Sequence, residues 1–304
     1  MAGSSTKAIL YALAANAGIA VSKGIAWMYT GSGSMLAETI HSAADCINQI
    51  FLFVGMNRSA KPPTKEHPLG FGKAIYVWSF FVAILLFSVG GIFSIYEGVH
   101  KLHPPEGVSH DVENPMIALG VLGVSILLEA FSLMGAVKEI KKMAGGKGVR
   151  HWVKHTRNAE LVVVLGEDIA ALMGLALAFL FVLLAVVTGE SKFDAIGSIC
   201  IGAMLIIISF WLVMRIQALL IGRSASPDLQ ESITKSIAAD ENITEVLNVL
   251  TCQFGSQVML AAKIRMKKGI DIDTAAAAIN ELEKKIKESH PEVVWSFVEP
   301  DVSD

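Results

Sequence analysis

Six stretches of this chain are each long and apolar enough to cross a hydrocarbon layer, which takes roughly 20 predominantly apolar residues. They run over about Ala8–Met28, Ser34–Met56, Ala74–Gly98, Pro115–Val137, Glu160–Val187 and Phe193–Leu220. No other feature restricts the fold as strongly. Inside lipid every backbone polar group must be satisfied within its own segment, so such stretches are helices. The composition agrees: 53% of the 304 residues are hydrophobic, and the mean hydropathy of +0.55 is that of an integral membrane protein. The three cysteines, Cys46, Cys200 and Cys252, form no CxxC pair, so neither a disulfide framework nor a thiolate zinc site is expected. Met1-Ala-Gly-Ser-Ser-Thr-Lys7 runs into the first stretch without a small-residue cleavage site, and the first helix is read as retained.

The basic residues set an orientation. Arg58, Lys61, Lys65 and Lys73 lie between spans two and three. Lys138, Lys141, Lys142, Lys147, Arg150, Lys154 and Arg157 lie between four and five. The opposite links hold only Lys101 and Lys192. The positive-inside rule places the basic links and both termini in the cytoplasm, which fits a bacterial inner membrane.

After Gly222 the hydropathy drops. Pro227 opens a helix to about Ala239, and Val246–Phe254 reads as a strand followed by the turn Gly255-Ser256. Val258, Leu260, Ala262, Ile264 and Met266 alternate at period two, a second strand with one buried face. Asp273 is the expected cap of a helix through Ala275–Ser289, and Val293–Val298 is a last strand. The order αββαβ points to a split-βαβ, ferredoxin-like sandwich with open edges that a second copy could pair with. The expected organisation is a six-helix transmembrane domain over residues 1–222 and a cytoplasmic ferredoxin-like domain over 223–304, serving dimerisation and regulation.

Charged groups at membrane depth cost at least a few kcal/mol each. Span two, Met35-Leu-Ala-Glu-Thr-Ile-His-Ser-Ala-Ala-Asp-Cys-Ile-Asn-Gln-Ile50, carries Glu38, His41, Asp45, Asn48 and Gln49 at steps of three and four, so they share one helix face. His41 and Asp45 are one turn apart, a spacing at which two side chains can grip one divalent ion. Span five adds Glu167 and Asp168. Adjacent on a helix, they point about 100° apart; Asp168 is read as the ligand, and Glu167 as its support or a proton carrier. Imidazole and two carboxylates suit zinc, and also iron, cobalt or manganese. Lys23 is read as snorkelling from its helix end, Glu129 as a structural partner of Lys23 or of a neighbouring helix, and Glu97 as interfacial. Glu38 is open between pairing with Lys23 and lining the site. His100, His103, His110 and Asp111 read as an ordinary polar loop on the far side.

With these residues the chain resembles the cation diffusion facilitator family of divalent-metal/proton antiporters over nearly its whole length. The resemblance rests on His41-x-x-x-Asp45 and Asp168, on His67-Pro-Leu-Gly-Phe-Gly-Lys73, on Asp194-Ala-Ile-Gly-Ser-Ile-Cys-Ile-Gly202, on Leu220-Ile-Gly222 and on the αββαβ tail. It implies a homodimer embedded in the bilayer, with one transport site per protomer between spans two and five. The cargo would be Zn2+, or Mn2+, Fe2+ or Co2+, with protons as counter-ion exchanged through Glu167 and His41. No permanently bound cofactor and no nucleic acid are expected. Val164 stands where many zinc-carrying members have a second histidine, and Glu167-Asp168 is similar to a branch that includes a mitochondrial zinc transporter of animals. Glu66 and His67 are the candidates for the family's second site. His290 and Cys252 are too few for the binuclear site of some family tails. A membrane-embedded metalloenzyme and a passive cation channel are the competing classes.

Overall fold

A computed structural model describes residues 2–103, 114–144, 146 and 148–303; Lys147, His110 and Asp111 lie outside the described residues. The membrane part is built of α1 (Ala2–Thr30), α2 (Gly33–Ser59), α3 (Ala74–Leu85), α4 (Phe93–Leu102), α5 (Pro115–Met143), α6 (Val149–His155), α7 (Ala159–Thr188) and α8 (Lys192–Ile221). A π-helical segment, Leu86–Ile92, joins α3 to α4 in one continuous rod. Among the described residues, four rods are long and apolar enough to cross a membrane: Ala74–Leu102, α5, α7 and α8. The helices α1 and α2 are of similar length, 29 and 27 residues, and α2 carries the polar stripe. Each observed helix extends the apolar stretch read from the sequence by up to six residues, because helical hydrogen bonding continues into polar flanks.

The short helix α6 was not anticipated; it lies in the basic link. Its carbonyls at Val153 and Lys154 accept from Arg215 of α8, and Trp152 packs against the membrane core.

Small residues set how closely the helices approach. A Cβ on Gly98 would meet the Ala195 carbonyl oxygen at 2.6 Å, and one on Gly202 would meet that of Gly91 at 2.6 Å. The π-segment and α4 therefore touch α8 nearly backbone to backbone. Where α2 crosses α7 the contact is side chain on backbone: a Cβ on Gly174 would lie 2.6 Å from Glu38 Oε1. The small-residue run Asp168-Ile-Ala-Ala-Leu-Met-Gly174 allows the approach expected of it. Helix α2 packs against α1, α3, α7 and α8. It buries Glu38, His41, Ser42 and Asn48 and exposes Ala43, Ile47 and Ile50 on the opposite side.

The tail forms a second core. It holds α9 (Pro227–Ala238), β1 (Ile243–Phe254), β2 (Gln257–Met266), α10 (Ile272–Ser289) and β3 (Val293–Pro300). Val258, Leu260, Ala262 and Ile264 of β2 face Ile233 and Ile237 of α9 and Leu282 and Ile286 of α10. The order αββαβ stands, with two corrections. The sheet order is β1-β2-β3, with β2 and β3 direct parallel neighbours. The βαβ unit is therefore closed rather than split, since no strand is supplied to lie between them. The cap of α10 is Asp271, not Asp273: its side chain accepts from the N–H groups of Asp273 and Thr274.

The tail docks on the bundle through the β1–β2 turn. Gly255 N–H donates to the Tyr76 hydroxyl at 2.9 Å, and Lys73 Nζ sits 4.8 Å from the centre of the Phe254 ring. Gly255 has φ of +64°, and a Cβ there would meet the Gly72 oxygen at 2.6 Å. Arg157, just before α7, donates to the carbonyls of Ser224 and Ala225. Burial, with Arg223 and Arg215 nearby, pushes its guanidinium down to about 10.

Candidate functional site

The polar stripe of α2 turns inward, and each of its residues finds a different environment. Glu38 is fully buried and pairs with Lys23 of α1, Nζ to Oε2 3.0 Å. Lys23 also donates to the Ser42 hydroxyl at 2.8 Å. Lys23 does not snorkel: at 2% exposure it is held inside by the carboxylate across from it. This pairs Glu38 with Lys23, while Lys23 also stays within electrostatic range of Glu129.

One turn further along α2, His41 Nε2 lies 3.7 Å from Asp45 Oδ2. His41 is 1% exposed, yet among the described residues neither ring nitrogen has a hydrogen-bond partner, and Asp45 Oδ1 has none either. Across the α2–α7 contact, Glu167 is buried at 8% exposure with Oε1 unpartnered. Its electrostatic neighbours are Asp45 and Asp168, and Asn48 lies beside it. Asp168 is half-buried, within electrostatic range of Glu129 and Asp45. Val164 packs into the apolar core. Buried polar atoms are almost always hydrogen-bonded, so the run of unpartnered imidazole and carboxylate atoms on two facing helices makes this region the candidate site. Among the described residues, no three His, Cys, Asp or Glu side chains stand close enough to hold one ion together as they are. The donors are divided between α2 and α7.

Glu129 of α5 also faces this region. It lines a cavity of about 20 Å³ with Asn16, Lys23, Ser42, Asp45 and Ser125. Glu97 sits beside Lys101 near the end of α4. The other candidates lie elsewhere. Glu66 and His67 are exposed, and the His67 ring stands edge-on to Phe71 at 4.5 Å. The His67 carbonyl accepts from Thr64 and Gly70 N–H groups, closing a turn. His103 contacts the Val99 carbonyl and His100 stacks on Tyr96. In the tail His290 bonds Ser236, while Cys252 lies near Gly222.

Sequence reasoning passed over Asp194. It is buried at the start of α8, where it accepts from Ser32 Oγ at 2.6 Å and from the Gly33 and Ser34 N–H groups, with Lys101 at 3.8 Å. It pins the N-terminus of α2, and so sets the height of His41 and Asp45. A lone acid opening an apolar span, with a Ser-Gly-Ser turn elsewhere to receive it, was the available signal.

Residues 9–220 match the family profile described as the cation efflux transmembrane domain. The chain is 33% identical to the mitochondrial proton-coupled zinc antiporter SLC30A9 of Xenopus laevis, over 86% of this chain and 45% of that protein. It is 31% identical to metal tolerance protein C4 of Arabidopsis thaliana, over 86% of this chain and 56% of that protein. It is 25% identical to the manganese efflux system protein MneP of Bacillus subtilis, over 95% of this chain and 93% of that protein. The chain spans about half the length of the animal and plant relatives it matches. Buried acids and a histidine on facing helices of an apolar bundle agree with this match, and the chain belongs to the cation efflux, or cation diffusion facilitator, family as a multi-pass membrane protein.

Proposed function

We propose that this protein is a transporter, not an enzyme, and that it exports a divalent metal cation, zinc foremost, in exchange for protons. The observation that carries the reading is the set of unpartnered buried groups, His41, Asp45 and Glu167, where α2 meets α7. In this reading α1, α2, the Ala74–Leu102 rod, α5, α7 and α8 are six spans. Residues 1–222 form the transport unit and 223–304 the cytoplasmic unit. The basic links face the cytoplasm, that of a bacterium if the membrane is its inner one.

His41, Asp45 and Asp168 are the ligands, and Glu167 is the fourth ligand or a proton carrier. Ligands must be deprotonated to bind metal, so loading an ion releases protons. Protons arriving from the far side displace the metal, and a proton gradient drives cargo outward. Two carboxylates and a single histidine make an oxygen-rich site, and with the manganese efflux relative this supports Mn2+ as the second cargo. Fe2+ and Co2+ fit the same donors. Two copies associate through the open face of the tail sheet, where Leu250 is 65% and Phe297 58% exposed. Glu66 and His67 are retained as a second, weaker site on the link.

The test is Zn2+ uptake into proteoliposomes with a pH dye on the opposite side. Saturable uptake with proton counterflow is expected. Asp45→Ala and Asp168→Ala abolish it without changing the gel-filtration profile; substantial uptake by both variants refutes the site. Uptake without counterflow removes the antiport, and uptake without saturation favours a channel.

A further inference from the structure

Glu129 belongs to α5, a helix with no part in the site above. The cavity it lines lies between α1, α2, α5 and α7. At about 20 Å³ it has room for about one water or a largely dehydrated ion. Three charged side chains form its wall: Lys23, Asp45 and Glu129. Lys23 is already committed to Glu38 and Ser42. The pair Lys23–Glu38 is neutral as a unit, which leaves Asp45 and Glu129 as two carboxylates facing one space. Their remaining charged neighbours are His41 on α2 and, on α7, Asp168 and Glu167.

Two like charges at membrane depth are costly, and together they equal the charge of one divalent cation. His41 stands behind Asp45, outside the cavity lining. It is almost fully buried, both ring nitrogens are unpartnered, and Nε2 is directed at Asp45, on the cavity wall. Oxygen donors surround the space: Ser125 lies one turn before Glu129, Ser42 lies three residues before Asp45, and Asn16 comes from α1.

We propose that Glu129 is a ligand of the transported divalent cation, holding it jointly with Asp45 in the cavity between α1, α2, α5 and α7, as a station next to the one formed by His41, Asp45 and Asp168. The inference rests on the transport reading and adds a third helix to it. Because the donors of this station are oxygens, Glu129 serves harder ions more than soft ones, so Mn2+ depends on it more than Zn2+ does.

The experiment uses the full chain in proteoliposomes, with Zn2+ and Mn2+ as the metals added. Glu129→Gln is expected to raise the half-saturating metal concentration roughly 10-fold or more, more for Mn2+ than for Zn2+, with the maximal rate largely kept. Glu129→Asp keeps a carboxylate and stays near the unmutated protein. Glu139→Gln, on an exposed residue paired with Lys142, changes nothing. Unchanged half-saturation and metal preference in Glu129→Gln overturn the proposal. So does a lower maximal rate at unchanged half-saturation, which marks a structural role. Calorimetric Zn2+ binding to the purified protein separates the two readings. If the unmutated protein binds Zn2+, Glu129→Gln weakens that binding and no uptake occurs, the station stands and the transport reading falls. Normal uptake with a neutral Glu129→Gln does the reverse.

Discussion

The buried pair between Lys23 and Glu38 offers the sharpest energetic test of this packing. Their side chains are 3% and 0% exposed at 3.0 Å. At an effective dielectric of 20, charges that close attract by about 5 kcal/mol before desolvation is counted. The net value of the pair is small, but removing one partner leaves a bare charge inside. Lys23→Met strands the Glu38 carboxylate, whose Oε1 already has no hydrogen-bond partner, and is expected to cost about 3–5 kcal/mol. Glu38→Gln should cost less, because Lys23 keeps Ser42 and has Asp45 and Glu129 on the wall of the same cavity. The double variant Lys23→Met/Glu38→Gln removes both charges and should recover about 2 kcal/mol or more of the sum of the single losses. Thermal unfolding of the detergent-solubilised protein, followed by its gel-filtration peak, reads all three, with the exposed Lys141→Met as control. Additive losses, or a Lys23→Met variant as stable as the control, refute the pairing.

Three further outcomes follow from the same structure. Asp194→Ala should destabilise the bundle by about 3–5 kcal/mol, because Lys101 and the N–H groups of Gly33 and Ser34 lose a buried acceptor; a melting temperature equal to that of the unmutated protein counts against the anchor. Gly255→Ala imposes an αL penalty of about 1–2 kcal/mol and a collision with the Gly72 oxygen, so protease should cut between residues 222 and 226 faster than in the unmutated protein. Hydrogen bonds from the Thr274 hydroxyl and then backbone N–H groups hold the Asp271 carboxyl below its usual 3.8. With a depressed folded value, its stabilisation of α10 is present above 3.8 and is lost as the pH falls through that lower value. Hydrogen exchange of the first-turn amides of α10 should accelerate there, and Asp271→Asn should flatten the response.

The long helices, the polar stripe on α2 and the alternation in β2 were legible because each is a local pattern. Lipid demands long apolar helices, and a half-buried strand demands period two, whatever surrounds them. His41 and Asp45 stood out for the same reason: two polar groups one turn apart at membrane depth have little alternative use. The sequence alone thus determined the family resemblance, the order of elements and one half of the candidate site.

Only the tertiary structure decided which acid pairs with which base. Lys23 could snorkel, join Glu129 or join Glu38, and the choice depends on how α1, α2 and α5 rotate about their axes. That rotation is set by close contacts such as Gly174 against Glu38 and Gly202 against Gly91, between residues far apart in the chain. The same applies to Asp194 beneath α2, to Gly72 against Gly255 at the junction, and to β2 beside β3. The polar stripe of α2 singled out His41 and Asp45 as candidates; the crossing of four helices put Glu129 on the same wall as Asp45, which no spacing within a single helix could encode.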